Sequence, residues 1–395
     1  MAMFAPLLLF LLLHVVAGHS HQHHEYVDVP DVANEEWYKK YGNQHDLAYT
    51  GPLSFMHLPY AKCLEDASQL FDIAILGFPF DTTTSYRPGA RLGPQAIRIG
   101  SAGGRGYTLS WGSSPFDFGA RLMDCGDVPL TLMDNAKAID QMEVAYSTLL
   151  ARPVQGETKS TTATMAKDGK EHPRLVTLGG DHTIVLPILR SLYKVYGPVS
   201  VIHFDAHFDT SSVEGRTGQE RVSHGSYFSI AAEEHLMTNT SIHGGIRQKI
   251  GIFTAKHRKQ GIDMVEHDES VGFAVISTED IDDYGIQNVI QKIRDRVGTG
   301  PVYLSLDIDV IDPGMAPATG TPEAGGWTTR EVKRIIRGLA GLNFVGCDIV
   351  EVAPAYDQAE ITSMAAAGIV ADFFQMLQAD APPKPHVGPF LDVED

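Results

Sequence analysis

Residues 199–209 read VSVIHFDAHFD, and this stretch decides the fold. Its first half is a mostly apolar run of strand length, and acidic and imidazole side chains follow it directly. An apolar run that does not alternate with polar residues is typical of a strand that is covered on both faces. Side chains two positions apart on an extended backbone point the same way, so Asp205, His207 and Asp209 can converge on one side. The stretch therefore predicts a buried strand that delivers a polar cluster at its carboxyl end.

Four more apolar runs of strand length occur along the chain, each leading into a turn rich in glycine or aspartate: 73–76, 175–178, 302–306 and 344–350. Helices are predicted at 136–151, 185–196, 286–297 and 329–339, the last with Thr328 or Thr329 as its N-cap. Alternation of fully apolar strands with helices favours a parallel sheet. The predicted fold class is α/β, a three-layer α/β/α sandwich with a doubly wound, mainly parallel sheet.

The balance of charges restricts the partners of the chain. With 31 Lys and Arg against 49 Asp and Glu, the formal net charge is -18 at pH 7. Nucleic acid and anionic membrane surfaces would repel such a chain, so neither is expected as a partner. A small cationic substrate is compatible with this charge, although acidic surfaces usually serve only solubility. The length of 395 residues leaves open one large domain or two to three smaller ones.

Residues 1–18 are predicted to be a secretory signal peptide. An apolar run at 7–13 is followed by smaller residues at 15–18, which offer a cleavage site. The run is too short to span a bilayer. No Lys or Arg precedes the run, so an uncleaved interfacial anchor is the alternative. The expected location is secreted or vacuolar, with no membrane association after cleavage of the signal.

Beyond the signal, the sequence predicts an N-terminal arm at 19–70, a main domain at 71–380 and a tail at 381–395. The arm has a His-rich start, residues 19–24, which is a linker or a metal-scavenging tract. The polar stretch 155–173 is predicted to be a surface insertion. The three cysteines allow at most one internal bridge, and the expected pair, if one forms, is Cys63 with Cys125. Cys347 lies in an apolar run and is expected to be buried.

Three of the apolar runs end in residues that can bind metal, and the carboxyl ends of strands are where open α/β sheets place their sites. The candidates are Asp181 and His182 after 175–178, Asp205, His207 and Asp209 after 199–204, and Asp307, Asp309 and Asp312 after 302–306. Taken singly, each aspartate could form a turn or cap a helix, and each histidine could be a hydrogen-bonded core residue. Acids and imidazoles crowded together are costly to desolvate unless cations neutralise them. Two divalent ions are expected, and the oxygen and nitrogen ligands favour manganese over zinc or magnesium, with cobalt or nickel as substitutes.

The three ligand segments resemble the metal signatures of ureohydrolases, the family of arginase and agmatinase. They are residues 178–184 (LGGDHTI), 203–209 (HFDAHFD) and 305–313 (SLDIDVIDP). Residues 77–98 (GFPFDTTTSYRPGARLGPQAIR) and 318–326 (ATGTPEAGG) are similar to the agmatinase branch. The resemblance extends from about residue 77 to 366. It implies an arginase-like fold for a catalytic domain at 71–380, two Mn²⁺ per subunit and a homo-oligomer, a trimer or hexamer.

The resemblance also assigns roles to individual residues. One ion would be held by His182, Asp205, Asp209 and Asp307, and the other by Asp205, His207, Asp307 and Asp309, so that Asp205 and Asp307 bridge the two. His224 would shuttle protons, and Glu351 would hold the guanidinium group of the substrate. Two ions that share a water lower its pKa and make it a nucleophile, and Asp209 can help to move its proton toward the leaving nitrogen. The alternatives are that His224 is a turn residue and that Glu351 is a surface acid at a strand end.

The sequence narrows the substrate without fixing it. Residues 217–223 (TGQERVS) differ from the stretch with which arginases bind the amino-acid end of arginine, so arginine is disfavoured. Agmatine, cleaved to putrescine and urea, is the expected substrate, and 4-guanidinobutanoate is the alternative. Glu220 would favour the amine tail of the former, and Arg221 the carboxylate tail of the latter. Two other classes are a deacetylase-like relative with a single zinc ion and a non-catalytic binding protein. The second ligand set and the intact bridging carboxylates argue against both.

Overall fold

A computed structural model of the chain describes residues 35–42, 44, 53–103, 106–155, 165–248 and 255–384, and the side chains of 255–260 are not included. The predicted signal peptide, the His-rich start of the arm, most of the predicted tail and residues 156–164 of the predicted surface insertion lie outside these residues. Within the described part, no helix combines the length and the hydropathy that crossing a bilayer requires.

Eight parallel strands form one sheet in the order β2-β1-β3-β8-β7-β4-β5-β6. Their bounds are β1 Ile73–Gly77, β2 Leu122–Asp127, β3 Arg174–Leu178, β4 Ser200–Phe204, β5 Ser241–Ile246, β6 Phe273–Ser277, β7 Val302–Asp307 and β8 Phe344–Val350. All five predicted strands are present, and the predicted parallel sheet is confirmed. The order places β4 beside β7 and places β8 between β7 and β3, so the three strands with candidate ligands end in one region.

Ten α-helices are present in the described residues. They are α1 Glu36–Tyr41, α2 Gly93–Gly100, α3 Asn135–Leu150, α4 Val185–Tyr196, α5 Tyr227–Glu233, α6 Ala255–Val271, α7 Asp280–Tyr284, α8 Ile286–Val297, α9 Thr329–Gly338 and α10 Ile361–Met376. The four predicted helices, α3, α4, α8 and α9, lie within one residue of their predicted ends. Thr328 is the N-cap of α9, and its side chain and that of Glu331 form a capping box, which satisfies two backbone N–H groups.

The sheet is buried on both faces, as the unbroken apolar runs predicted. Ile73 and Ile75 of β1 belong to one hydrophobic cluster, whereas Ala74 and Leu76 belong to the other. Successive side chains of a strand point to opposite faces, so the two clusters are the two faces of the sheet. Helices α2, α8, α9 and α10 contribute to the face with Ile73 and Ile75, and α3, α4 and α5 contribute to the face with Ala74 and Leu76. The molecule is therefore the predicted three-layer α/β/α sandwich.

The N-terminal segment is fastened to the edge strand β2. Cys63 and Cys125 form the expected disulfide. Beside it, Arg98 of α2 is buried and donates to Asp124 from Nε at 2.8 Å and from Nη2 at 2.9 Å, and to Asp127 from Nη1 at 2.5 Å. The third cysteine, Cys347, is free and fully buried in β8, as expected.

Candidate metal centre

The turns after β3, β4 and β7 carry the candidate ligands. His182 opens a short 3-10 turn, His182–Ile184, whose N-cap is Asp181. Asp205 follows β4 directly, and Asp307 closes β7 and caps the 3-10 turn Ile308–Val310 by accepting from the Asp309 N–H at 2.8 Å. Tight turns that begin at the strand ends hold these side chains close to the carboxyl ends of the strands.

One group of ligand atoms surrounds His182. Its Nδ1 lies 3.0 Å from Asp205 Oδ2, 3.1 Å from Asp209 Oδ2 and 3.3 Å from Asp307 Oδ2. His182 Nδ1 and Asp205 Oδ2 are buried, yet neither has a partner in hydrogen-bonding geometry among the described residues. Buried polar atoms without a partner are costly. The four converging atoms, two of which have no other partner among the described residues, fit a cation that would satisfy them together.

A second group lies on the other side of Asp205. His207 Nδ1 is 3.2 Å from Asp205 Oδ1 and 3.0 Å from Asp309 Oδ2. The two oxygens of Asp205 therefore face two different groups. Asp307 faces the first group through Oδ2. The structure thus places all six sequence-predicted ligands in one cluster, with Asp205 central to it.

The electrostatics of the cluster also fit metal binding. Burial and the charges of Asp309 and Asp205 raise the pKa of Asp307 well above its usual range. Burial and the charge of Asp205 likewise raise the pKa of Asp309 to about 6. Carboxylates this close resist being ionised together unless positive charge lies between them. Carboxylate oxygens with imidazole nitrogens form a mixed ligand set that suits divalent cations such as manganese.

The outer nitrogen of His182 is held so that Nδ1 is free for a metal. Its Nε2 lies 2.8 Å from Ser305 Oγ. Ser305 Oγ donates to Asp348 Oδ1 at 2.9 Å, and the Tyr303 hydroxyl donates to Asp348 Oδ2 at 2.5 Å. Because the Ser305 hydroxyl donates its proton to Asp348, Ser305 Oγ accepts from His182 Nε2–H. The neutral His182 ring then presents a lone pair at Nδ1, as metal coordination requires.

Glu351 follows β8 and is 1% exposed, so the alternative of a surface acid is wrong. Its backbone has φ +61, in the left-handed region that residues with a side chain rarely adopt. Oε1 accepts from the His182 N–H at 3.0 Å, whereas Oε2 is buried without a hydrogen-bond partner in the part of the chain described. Glu351 therefore presents one unused acceptor close to the metal cluster.

His224 connects Glu351 to the loop after β1. Its Nδ1 lies 3.3 Å from Glu351 Oε1, and its Nε2 accepts from the Ser85 backbone N–H at 3.1 Å. Burial on its own would lower the pKa of His224, but the hydrogen bond to Glu351 and the charges of Asp209 and Asp181 raise it to about 9. His224 thus contacts a second candidate residue, which a simple turn residue would not do.

Two other candidate aspartates take structural positions. Asp181 Oδ2 accepts from the Thr83 N–H at 3.0 Å and the Thr83 hydroxyl at 2.7 Å, so it anchors the loop after β1. Burial and the neighbouring Glu351 raise the pKa of Asp181 to about 7. Asp312 accepts from the backbone N–H groups of Gly314, Gly325 and Gly326 and closes a turn. The interpretation of these two as potential ligands is therefore wrong.

A cavity of about 380 Å³ opens over the cluster. Its walls include His207, Asp209, Asp307, His224, Ser85 and Arg216. Neither Glu220 nor Arg221, which the sequence suggested for the substrate tail, lines it. Arg221 is instead paired with Glu233, and Glu220 is exposed. The arginine that does line the cavity is Arg216, which comes from an exposed turn five residues before Arg221.

Sequence reasoning missed His203, Ser85 and Arg216. His203 Nε2 lies 3.0 Å from Asp205 Oδ2, and the alternation rule could have found it, because residues 203 and 205 share one side of β4. Ser85 lies in the stretch 77–98 that resembles the agmatinase branch, and Arg216 comes from a loop without a motif. Only the folded chain brings the two to the cavity.

Comparison with known proteins agrees with this arrangement. The model of the arginase family matches residues 71–375. A protein of Schizosaccharomyces pombe named "Putative agmatinase 1" is 50% identical over 342 residues, 85% of this chain and 84% of that protein. A guanidinobutyrase of Pseudomonas aeruginosa is 36% identical over 331 residues, 83% of this chain and 93% of the relative. The structure of proclavaminate amidino hydrolase from Streptomyces clavuligerus matches with a TM-score of 0.71 at 32% identity, covering 85% of this chain and 100% of that one.

The chain therefore belongs to the arginase family. Within the family it is an agmatinase-like ureohydrolase, an enzyme that hydrolyses amidino compounds. The resemblance of its three metal signatures predicted this family, and the prediction is confirmed.

Proposed function

We propose that the enzyme cleaves the guanidino C–N bond of a small linear guanidino compound at a centre of two Mn²⁺ ions, with agmatine as the substrate and urea and putrescine as the products. The observation that carries the proposal is Asp205, which offers one oxygen to each of two groups of ligand atoms. Relatives named as agmatinases, such as that of Photorhabdus laumondii at 35% identity, support agmatine.

Six side chains would hold the two ions. His182, Asp205, Asp209 and Asp307 would bind the first, and Asp205, His207, Asp307 and Asp309 would bind the second. A pair of divalent ions in such a site supplies the Lewis acidity that makes water nucleophilic near neutral pH. A guanidinium carbon is a poor electrophile because its charge is delocalised, so this activation is what the reaction needs.

Glu351 would orient the guanidinium. Its Oε2 is buried and lacks a partner among the described residues, and a guanidinium N–H is the donor that would satisfy it. The resulting charge-assisted hydrogen bond fixes the plane of the substrate. Oε1 is already held by the His182 N–H at 3.0 Å, so the acceptor is rigidly placed beside a metal ligand.

His224 would supply a proton to the leaving nitrogen. The hydrogen bond to Glu351 raises the pKa of His224 to about 9 in the chain without metal. Because Nε2 accepts from the Ser85 N–H, the proton of the ring is on Nδ1, which faces Glu351. His224 lines the cavity together with Asp209, so donor and acceptor groups face the same space. A group that holds a proton next to the scissile bond can protonate the departing amine.

A specific observation favours 4-guanidinobutanoate as a second candidate. Arg216 lines the cavity and makes no ion pair with the residues that the structure describes. The carboxylates that line the cavity, Asp209 and Asp307, belong to the metal cluster. An anionic tail would thus find an available partner in Arg216, whereas the ammonium tail of agmatine would meet like charge.

A urea-release assay on the manganese-loaded enzyme distinguishes the two substrates. Agmatine, 4-guanidinobutanoate and arginine are supplied to the wild type, to Arg216→Ala and to a control, Arg221→Ala, whose charge is paired outside the cavity. If agmatine is the substrate, Arg216→Ala leaves its kcat/KM unchanged or raised. If 4-guanidinobutanoate is the substrate, Arg216→Ala lowers its kcat/KM about 10-fold or more, in line with a lost charge-assisted hydrogen bond. Absence of urea from every guanidine would refute the proposed function.

A further inference from the structure

A row of three buried polar side chains leads from Asp205 to helix α6. His203 Nε2 lies 3.0 Å from Asp205 Oδ2, and the Nδ1 atoms of His203 and His243 share a hydrogen bond of 2.7 Å. His243 Nε2 lies 3.0 Å from Asp268 Oδ1. Their exposed fractions are 0%, 0% and 1%, so these contacts are shielded from bulk solvent. We call this row the His203–His243–Asp268 array.

Aromatic rings enclose the array. The His243 ring stacks on Phe273 with centroids 3.9 Å apart and an interplanar angle of 15°. Phe228 meets His203 edge-on at 4.9 Å, and Phe208 meets His243 edge-on at 5.8 Å. Rings packed in this way cannot change rotamer freely, so the nitrogen atoms keep their directions.

Polar side chains such as those of the array are unusual in the interior of an apolar sheet. His203 and His243 are register partners in the neighbouring strands β4 and β5, which are interior strands of a sheet that is otherwise largely apolar. Polar side chains buried there cost free energy that aliphatic residues would not. The array ends on a carboxylate that Thr210 also holds, through a hydroxyl donated to Asp268 Oδ1 at 2.7 Å. Thr210 directly follows Asp209, so both ends of the array reach candidate metal ligands.

We propose that His203, His243 and Asp268 are positioning residues that fix the carboxylate of Asp205 so that it offers one oxygen to each metal ion. Asp205 Oδ1 is already held by the His207 backbone N–H at 2.5 Å. His203 Nε2 of the array lies 3.0 Å from the other oxygen. A carboxylate that is hydrogen-bonded at Oδ1 and packed against the His203 ring at Oδ2 has little room to rotate out of this orientation. Outer partners that orient metal ligands in this way commonly change metal affinity 10- to 100-fold.

The array also ties the metal centre to α6, which is the helix that carries Met264 of the cavity wall. His267 lies next to Asp268 on this helix, but its Nε2 bonds Ser229 Oγ at 3.0 Å and takes no part in the array. His267 therefore provides a matched control for the loss of a partly buried histidine from the same helix.

This inference rests on the proposed function only because it assumes that the cluster binds metal. Its test therefore uses Mn²⁺ without substrate. The full chain is stripped with a chelator and titrated with Mn²⁺, and the coupling of the two ions is followed by electron paramagnetic resonance. His243→Phe, which keeps the ring packing, and Asp268→Leu are expected to weaken Mn²⁺ binding about 10- to 100-fold and to reduce the coupled signal. Asp268→Asn keeps an acceptor oxygen and is expected to recover most of the affinity, and His267→Phe to bind as the wild type does.

The melting temperature of each stripped variant separates positioning from packing. The proposal holds if His243→Phe loses Mn²⁺ affinity and coupling while its stripped form melts within a few degrees of stripped His267→Phe. It is overturned if His243→Phe binds Mn²⁺ with wild-type affinity and coupling, whatever its stability. If Asp268→Leu does not fold, His243→Phe and Asp268→Asn still decide the outcome. Weakened Mn²⁺ binding together with no urea from any guanidine would refute the proposed function and leave this inference standing.

Discussion

At the scale of single residues, Asp205 is the side chain on which the metal cluster depends most. It is fully buried and meets His182 through one oxygen and His207 through the other. Replacement by Asn keeps the shape but turns one acceptor into a donor that faces a ligand nitrogen. Asp205→Asn is expected to lower kcat by more than about 100-fold, beyond the effect of outer partners, and to bind fewer than two Mn²⁺ per chain. Metal analysis and a urea-release assay measure the metal content and kcat of this variant. The control is Asp312→Asn, which alters a carboxylate that closes a turn and should keep both ions.

Whether a residue of the site could be predicted from the sequence depends on how far apart in the chain its partners lie. The ligands could be predicted because spacing of two residues after an apolar run places them on one side of a strand end. Glu351 and His224 were found through the resemblance, since their 3.3 Å contact joins segments far apart in the chain. Arg216 could not be predicted, because neither its loop nor its neighbours carry a pattern that indicates a cavity wall.

At the scale of elements, the buried ion cluster of α2 and β2 allows a prediction about stability. Removal of Arg98 takes away the buried guanidinium that both Asp124 and Asp127 contact. Arg98→Met is therefore expected to lower the free energy of unfolding by about 3–5 kcal/mol. Lys40→Met removes the exposed pair with Asp140 and should cost about 1 kcal/mol or less. Denaturant unfolding measures both, and similar losses for the two variants would contradict the assignment.

Strands β2, β5 and β6 were not predicted, and β5 shows why. Its sequence, SIHGGI, contains a histidine and two glycines and does not form an apolar run. A Cβ at Gly244 would lie 2.9 Å from the Phe204 ring, so close packing against β4 demands glycine where a strand pattern would have a side chain. His243 is polar because it belongs to the buried array beside Asp205. Tertiary contacts that override local patterns are therefore what the sequence could not reveal.

At the scale of the whole molecule, the layer order followed from the alternation of strands and helices, because short right-handed connections leave parallel strands few arrangements. Which ends of the strands meet is then fixed by topology, and this is why a cluster could be predicted before any distance was known. The order of the strands was beyond prediction, since it depends on which edges of β1, β3 and β8 form hydrogen bonds with each other.

Removal of metal is expected to make the stability of the whole molecule depend on pH above neutrality. Burial opposes the charge of His207, but Asp309 and Asp205 raise its pKa to about 12, and Glu351 raises that of His224 to about 9 in spite of burial. Unfolded histidine has a pKa of about 6.5, so between pH 6.5 and 9 the folded chain binds more protons than the unfolded one, and its stability falls as pH rises. Mn²⁺ bound at the proposed site would displace the His207 proton and add about 2.7 kcal/mol at a hundred times its Kd. Melting curves at pH 6.5 and 8.5 should therefore show a larger fall in Tm for chelated than for manganese-loaded protein; equal falls would mean that these groups do not hold protons in the metal-free fold.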